Sequence, residues 1–116
     1  MKVYKGVRTP GGCVVTVDGA PLDPRLDLKR YSDAGFEWGY DGTGPRQLAL
    51  AILADHLSDD PQALNLFQVF TETVIAELDG DEWTFTDERI QSALDQVAIV
   101  PIDLKTLLDR VRGRPV

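Results

Sequence analysis

The residues best spaced for chemistry lie in the run Trp38-Gly39-Tyr40-Asp41-Gly42-Thr43-Gly44-Pro45-Arg46. A glycine-rich loop that opens a helix can hold phosphate on its backbone amides. Trp38 and Tyr40 would line such a pocket, and Arg46 would supply the cation. The spacing fits neither a P-loop nor the GxGxxG dinucleotide fingerprint, and Asp41 would repel an anion. Glycine is also the default residue of tight turns. A structural role is favoured: Trp38 packs inward and the glycines let the backbone turn around it. Trp38, Tyr40 and Arg46 remain the binding residues of an alternative, a small-molecule or nucleotide-binding module or a small enzyme.

Other candidates are weaker. His56 is the single histidine and stands beside Asp55, with Asp59 close by. No nucleophile or orienting partner is evident in the sequence, so a structural place at a helix end is favoured. Asp79, Asp81 and Glu82 resemble the start of a calcium loop. That pattern needs an oxygen ligand where Trp83 stands and glycine where Thr84 stands. Cys13 sits among valines with no cation in its neighbourhood of the sequence, as a small buried hydrophobe does. No cofactor and no metal is expected, and an interaction protein is favoured over an enzyme.

Charge is the second informative feature. Residues 47–101 carry eleven carboxylates against Arg89 alone, while the whole chain has a net charge of −7. Such a surface repels nucleic-acid phosphate and attracts a basic partner. Solubility alone would also explain acidity, but it does not require clustering. Asp59 and Asp60 follow one expected helix. Glu77, Asp79, Asp81 and Glu82 follow another. Acids at helix C-termini oppose the dipole, so these six residues are the candidate partner-binding set.

The elements that position them follow from periodicity. At 116 residues the chain is expected to be one domain, 1–116, with one core. Val3–Arg8 and Cys13–Val17 are β-rich runs split by a Pro-Gly-Gly turn, which predicts a hairpin. Ala20-Pro21-Leu22 extends its edge, and the alternation from Leu26 to Tyr31 predicts a further short strand. Pro45 marks a helix start, and that helix runs to about Leu57. It is apolar on all sides from Leu48 to Ala54 and must be buried on all sides. Asp60 as N-cap and Pro61 after it start a second helix. Leu64, Phe67, Thr71, Val74 and Leu78 form its apolar face. Trp83-Thr84-Phe85 is a short strand. Thr86 caps a third helix with Ile90, Leu94 and Val97 inside, and Leu104, Leu107, Leu108 and Val111 mark a last one. The expected class is α+β: a small N-terminal antiparallel sheet packed against three to four helices.

The longest apolar run is too short to span a bilayer. MKVYKGVR lacks the apolar stretch of a secretory signal, and one cysteine suits a reducing compartment. A cytoplasmic protein without membrane or nucleic-acid contact is expected.

The run Gly35-Phe36-Glu37-Trp38-Gly39-Tyr40, with Gly42, Gly44-Pro45 and Gln47–Leu53, resembles a family of small proteins of bacteria, plasmids and phages whose function is unknown. The likeness covers the YKGVRT opening, the VTVDGAPL hairpin and the WTFT ending as well. It implies a mobile-element protein: a regulator or an inhibitor of host defence, for example of a CRISPR complex. The favoured expectation is a small acidic protein that binds a basic protein surface.

Overall fold

The computed structural model describes residues 2–32 and 35–99, with side chains as far as Gln96. Four antiparallel strands, β1 (Val3–Thr9), β2 (Gly12–Val17), β3 (Ala20–Pro21) and β4 (Glu82–Thr86), lie in the order β3-β2-β1-β4. The helices are α1 (Thr43–Leu57), α2 (Asp60–Phe70) and α3 (Asp87–Ile99), with a π-helical turn, Thr71–Ile75, continuing α2. The fold is α+β, as expected. β1 joins the two ends of the described chain, because it pairs with β2 on one side and with the distant β4 on the other.

Strand alternation sorts the sheet's two faces. Tyr4, Gly6 and Arg8 of β1 stand in register with Phe85, Trp83 and Asp81 on one side and Val17, Val15 and Cys13 on the other. This face carries the core. The opposite face shows Val7 and Val14, a cross-strand pair that stays exposed. Antiparallel sheets tolerate one such open face.

α1 is the centre of the core. Every side chain from Leu48 to Leu53 has 0% exposure, which follows from its lack of a polar face. Each buried leucine or isoleucine stabilises the fold by roughly 1.5–3 kcal/mol. Ser58 ends the helix in the left-handed conformation, its amide donating to the Ala54 carbonyl.

Four expectations are corrected. Leu26–Tyr31 is not a strand: Leu26–Leu28 is a turn and the chain after it is irregular. Its backbone is claimed by Gln47, a fully buried residue of α1. Gln47 Oε1 accepts from the amides of Tyr31 (2.6 Å) and Ser32 (3.2 Å), and Nε2 donates to the carbonyls of Pro24 (2.7 Å) and Lys29 (3.0 Å). The amide fills both acceptor sites and both donor sites this way, so this stretch needs no strand neighbour. Second, α2 is capped by Asp59, not Asp60. The Asp59 side chain accepts from the Gln62 amide, and Asp60 and Pro61 form the first turn. Third, the helix does not run unbroken to Leu78. The β-branched Thr71, Thr73, Val74 and Ile75 crowd its end, and Thr71 and Thr73 bond back to the carbonyls of Phe67 and Val69. The π-helical turn results, and it leaves the Ile75 carbonyl to accept from Gly39 at 3.0 Å. Leu64, placed in the apolar face by periodicity, is exposed, and Ala63 is buried instead.

Thr86 does cap α3, accepting from the Arg89 amide. Ile90 and Leu94 are buried. Val97's side chain and the expected helix through Leu104, Leu107, Leu108 and Val111 lie outside what is described.

Candidate functional site

The acidic turn between the π-helical segment and β4 is built on an arginine. Alternation in β1 turns Arg8 to the core face, where its aliphatic stem can lie against apolar neighbours. Its guanidinium stands 4.7 Å from the Trp38 ring centroid. All of its nitrogens donate. Nη1 reaches the Gly80 carbonyl (2.8 Å) and Asp81 (3.1 Å). Nη2 reaches Glu37 (2.9 Å) and the Trp38 carbonyl (3.0 Å), and Nε adds a second bond to Glu37. The Arg8 fork holds the Glu37 carboxyl below the usual glutamate range. Trp38 is fully buried and gives its Nε1–H to the same Gly80 carbonyl at 3.0 Å. It meets Trp83 edge-on at 5.6 Å, and Trp83 in turn stacks at a tilt on Phe85. One turn is thus pinned by two side chains from two distant segments.

The acids around it divide by what they do. Asp81 shares Arg8 yet keeps 80% of its side chain exposed. Glu77, Asp79 and Glu82 are exposed and form no ion pair with any described residue. Asp59 and Asp60 are occupied elsewhere: Asp59 caps α2, and Asp60 receives Arg25 at 2.9 Å. The six candidate acids therefore form one open cluster, Glu77 to Glu82, and a separate pair engaged in internal bonds.

The loop residues do not converge on a cavity. Trp38 is inside, Tyr40 is half exposed, and Arg46 is paired with Asp41 at 3.1 Å. Glu37 fills the space where Gly44 would carry a Cβ, with its own Cβ only 2.8 Å from that position. This close approach is what the glycine serves. His56 Nε2 lies 2.9 Å from Gln91 Oε1, tying α1 to α3. Cys13 is half-buried, and burial pushes its thiol pKa up, away from the thiolate.

Two clefts are present. A polar one of about 440 Å³ includes Lys2, Asp23, Arg25, Asp55 and Asp60. Its charges are matched internally: Asp55 takes Lys2 at 3.1 Å and the Tyr4 hydroxyl at 2.5 Å. Burial, first, and the Asp55 contact, second, raise the Tyr4 pKa. The other cleft, about 220 Å³, is mainly apolar, lined by Phe70, Val74, Leu78, Phe85 and Ile90, with Glu77 and Arg89 as its charged residues. Sequence reasoning missed Arg8, Glu37, Gln47 and Tyr4. Arg8 had a readable signal, since alternation put it on the face of Tyr4 and Gly6.

Residues 4–96 match a family described as "Family of unknown function (DUF6166)". The chain belongs to this family. The match spans the whole described core, from Tyr4 to the third helix, so Arg8, the Trp38 loop and the acidic turn all fall inside the DUF6166 region. No curated protein and no solved structure is significantly similar to the chain. No described helix is long and apolar enough to cross a membrane.

Proposed function

We propose that this protein is a small acidic interaction module that binds a basic surface of another protein, with the Glu77–Glu82 turn at the centre of the contact. One observation carries the reading. Glu77, Asp79 and Glu82 have no cation of their own among the described residues, and their turn is held by Arg8 and Trp38 on the Gly80 carbonyl. A fixed cluster loses little freedom on binding, and its field steers a basic partner. Asp59 and Asp60 serve the fold and stand aside from the contact. Carried by a mobile element, such a module would act as a regulator or as an inhibitor of host defence, occupying a basic surface that otherwise holds nucleic acid.

The test begins with cross-linking and mass spectrometry of complexes from a host lysate, followed by association kinetics with the purified partner. The Glu77→Lys, Asp79→Lys, Glu82→Lys triple variant should fold normally and associate more slowly. An unchanged association rate would remove the acidic turn from the contact.

A further inference from the structure

The sheet ends in two unlike edges. β3 is only two residues long and contains Pro21, which has no amide hydrogen to offer a neighbour. β4 runs for five residues with neither proline nor lysine. Its pairing shows which backbone groups are in use. Arg8 donates to the Asp81 carbonyl and Asp87 donates to the Lys2 carbonyl. The odd-numbered residues of this stretch therefore face β1. Antiparallel pairing alternates, so Glu82 and Thr84 send both N–H and C=O away from the sheet, and Thr86 sends its N–H. No described strand receives them.

The chemistry around this edge is specific. Asp79, Asp81 and Glu82 stand at its start, and Asp87 and Glu88 stand at its end. On the inner face at the same edge the buried Phe85 lines a mainly apolar groove with Phe70, Val74, Leu78 and Ile90, and Glu77 and Arg89 complete its lining, the Arg89 guanidinium 5.1 Å from the Phe85 ring. A second copy of this chain fits poorly. Antiparallel pairing about Thr84 would set Asp81 opposite Asp87 of a chain that also carries a net charge of −7. Charge selects the opposite kind of partner.

We propose that β4 takes an extended basic segment of the partner protein as a fifth strand of the sheet. Main-chain bonds run to Glu82, Thr84 and Thr86. Basic side chains of the segment meet the acids at both ends of the edge. The apolar side chains between them point to the inner face and the Phe85 groove. This rests on the proposed basic partner and adds how that partner is held.

The probe is a short blocked peptide alternating lysine and valine, titrated into the isotope-labelled full chain and followed by amide shifts. Two controls isolate the edge. The same peptide N-methylated at alternate residues cannot donate along one side. Thr84→Pro deletes an outward N–H and leaves the β1 ladder intact. The plain peptide should shift the amides of Glu82, Thr84 and Thr86. Both controls should weaken binding by at least about tenfold. Absence of binding by the plain peptide at low salt would overturn the proposal, and so would equal binding by the N-methylated peptide. Equal binding by the proline variant, combined with loss in the Glu77, Asp79 and Glu82 lysine variant, would also overturn it while leaving the acidic contact standing. Shifts confined to the groove would overturn it as well, since no main-chain pairing with β4 would then exist. The N-methyl comparison uses wild-type protein, so it decides the matter even where the proline variant does not fold.

Discussion

Arg8 and Trp38 are joined twice: the guanidinium lies 4.7 Å from the indole centroid, and Nη2 donates to the Trp38 carbonyl at 3.0 Å. Arg8→Met keeps a stem of similar length and loses both links, along with the bonds to Gly80, Glu37 and Asp81. Melting temperature should fall, and Trp emission should shift to the red as the indole loses its cover. Arg8→Lys should not restore either, because an ammonium cannot reproduce the fork. Arg46→Met, which breaks only the outer pair with Asp41, should change melting far less. Equal effects for Arg8 and Arg46 would deny Arg8 its anchoring role.

Glu37 makes acid sensitivity part of the same cluster. Its folded pKa is depressed below 4.5 by the Arg8 bonds. The carboxylate then adds stability that is present above its unfolded value and is lost as pH falls through the folded one. Glu37→Gln should be less stable than wild type at neutral pH, and the gap should close as pH drops below about 4. Denaturant titrations across that range would show it. A constant gap would mean the charge is not involved.

Gln47→Leu tests the buried amide. The leucine fits the volume but leaves the amides of Tyr31 and Ser32 and the carbonyls of Pro24 and Lys29 without partners. Each group cut off from water costs about 1–3 kcal/mol. Calorimetry should report a large loss, and hydrogen exchange should speed up at Tyr31 and Ser32 first. Stability close to wild type would mean that water replaces the amide.

Gly6→Ala tests close packing. A Cβ at Gly6 would overlap the Trp83 indole, whose buried Nε1 already lacks a partner. Forcing the ring aside should cost about 1–3 kcal/mol. Trp83→Phe in the alanine background should recover part of it, since the smaller ring leaves room. No recovery would place the strain in the backbone.

Much of this architecture was legible because it rests on local rules. α1 could be read from Leu48 to Ala54, where no residue offers a polar face. The hairpin followed from Pro10-Gly11-Gly12 between two β-rich runs, and the inward Trp38 from glycines packed around an aromatic. What escaped were choices made by distant side chains. Leu26–Tyr31 alternates like a strand, yet a local turn onto the Arg25 carbonyl and Gln47, far along the chain, take its hydrogen bonds. Asp60 read as a cap because Pro61 follows it, but the extended backbone at Asp59 takes that role. The acidic clusters looked alike in sequence, and only the fold separates Asp59, which caps α2, and Asp60, which Arg25 holds, from the open acids of the turn pinned by Arg8.

The most direct measurement of the proposed acidic contact is the association rate with the purified partner as a function of salt. The Debye length falls from about 10 Å at 0.1 M to about 3 Å at 1 M, so wild-type association should slow steeply over that range. The Glu77→Lys, Asp79→Lys, Glu82→Lys variant should start slower and respond little to salt, with dissociation less affected than association. A wild-type rate that is flat in salt, or a variant that follows the wild-type curve, would contradict the account and leave the acidic turn as a solubility feature.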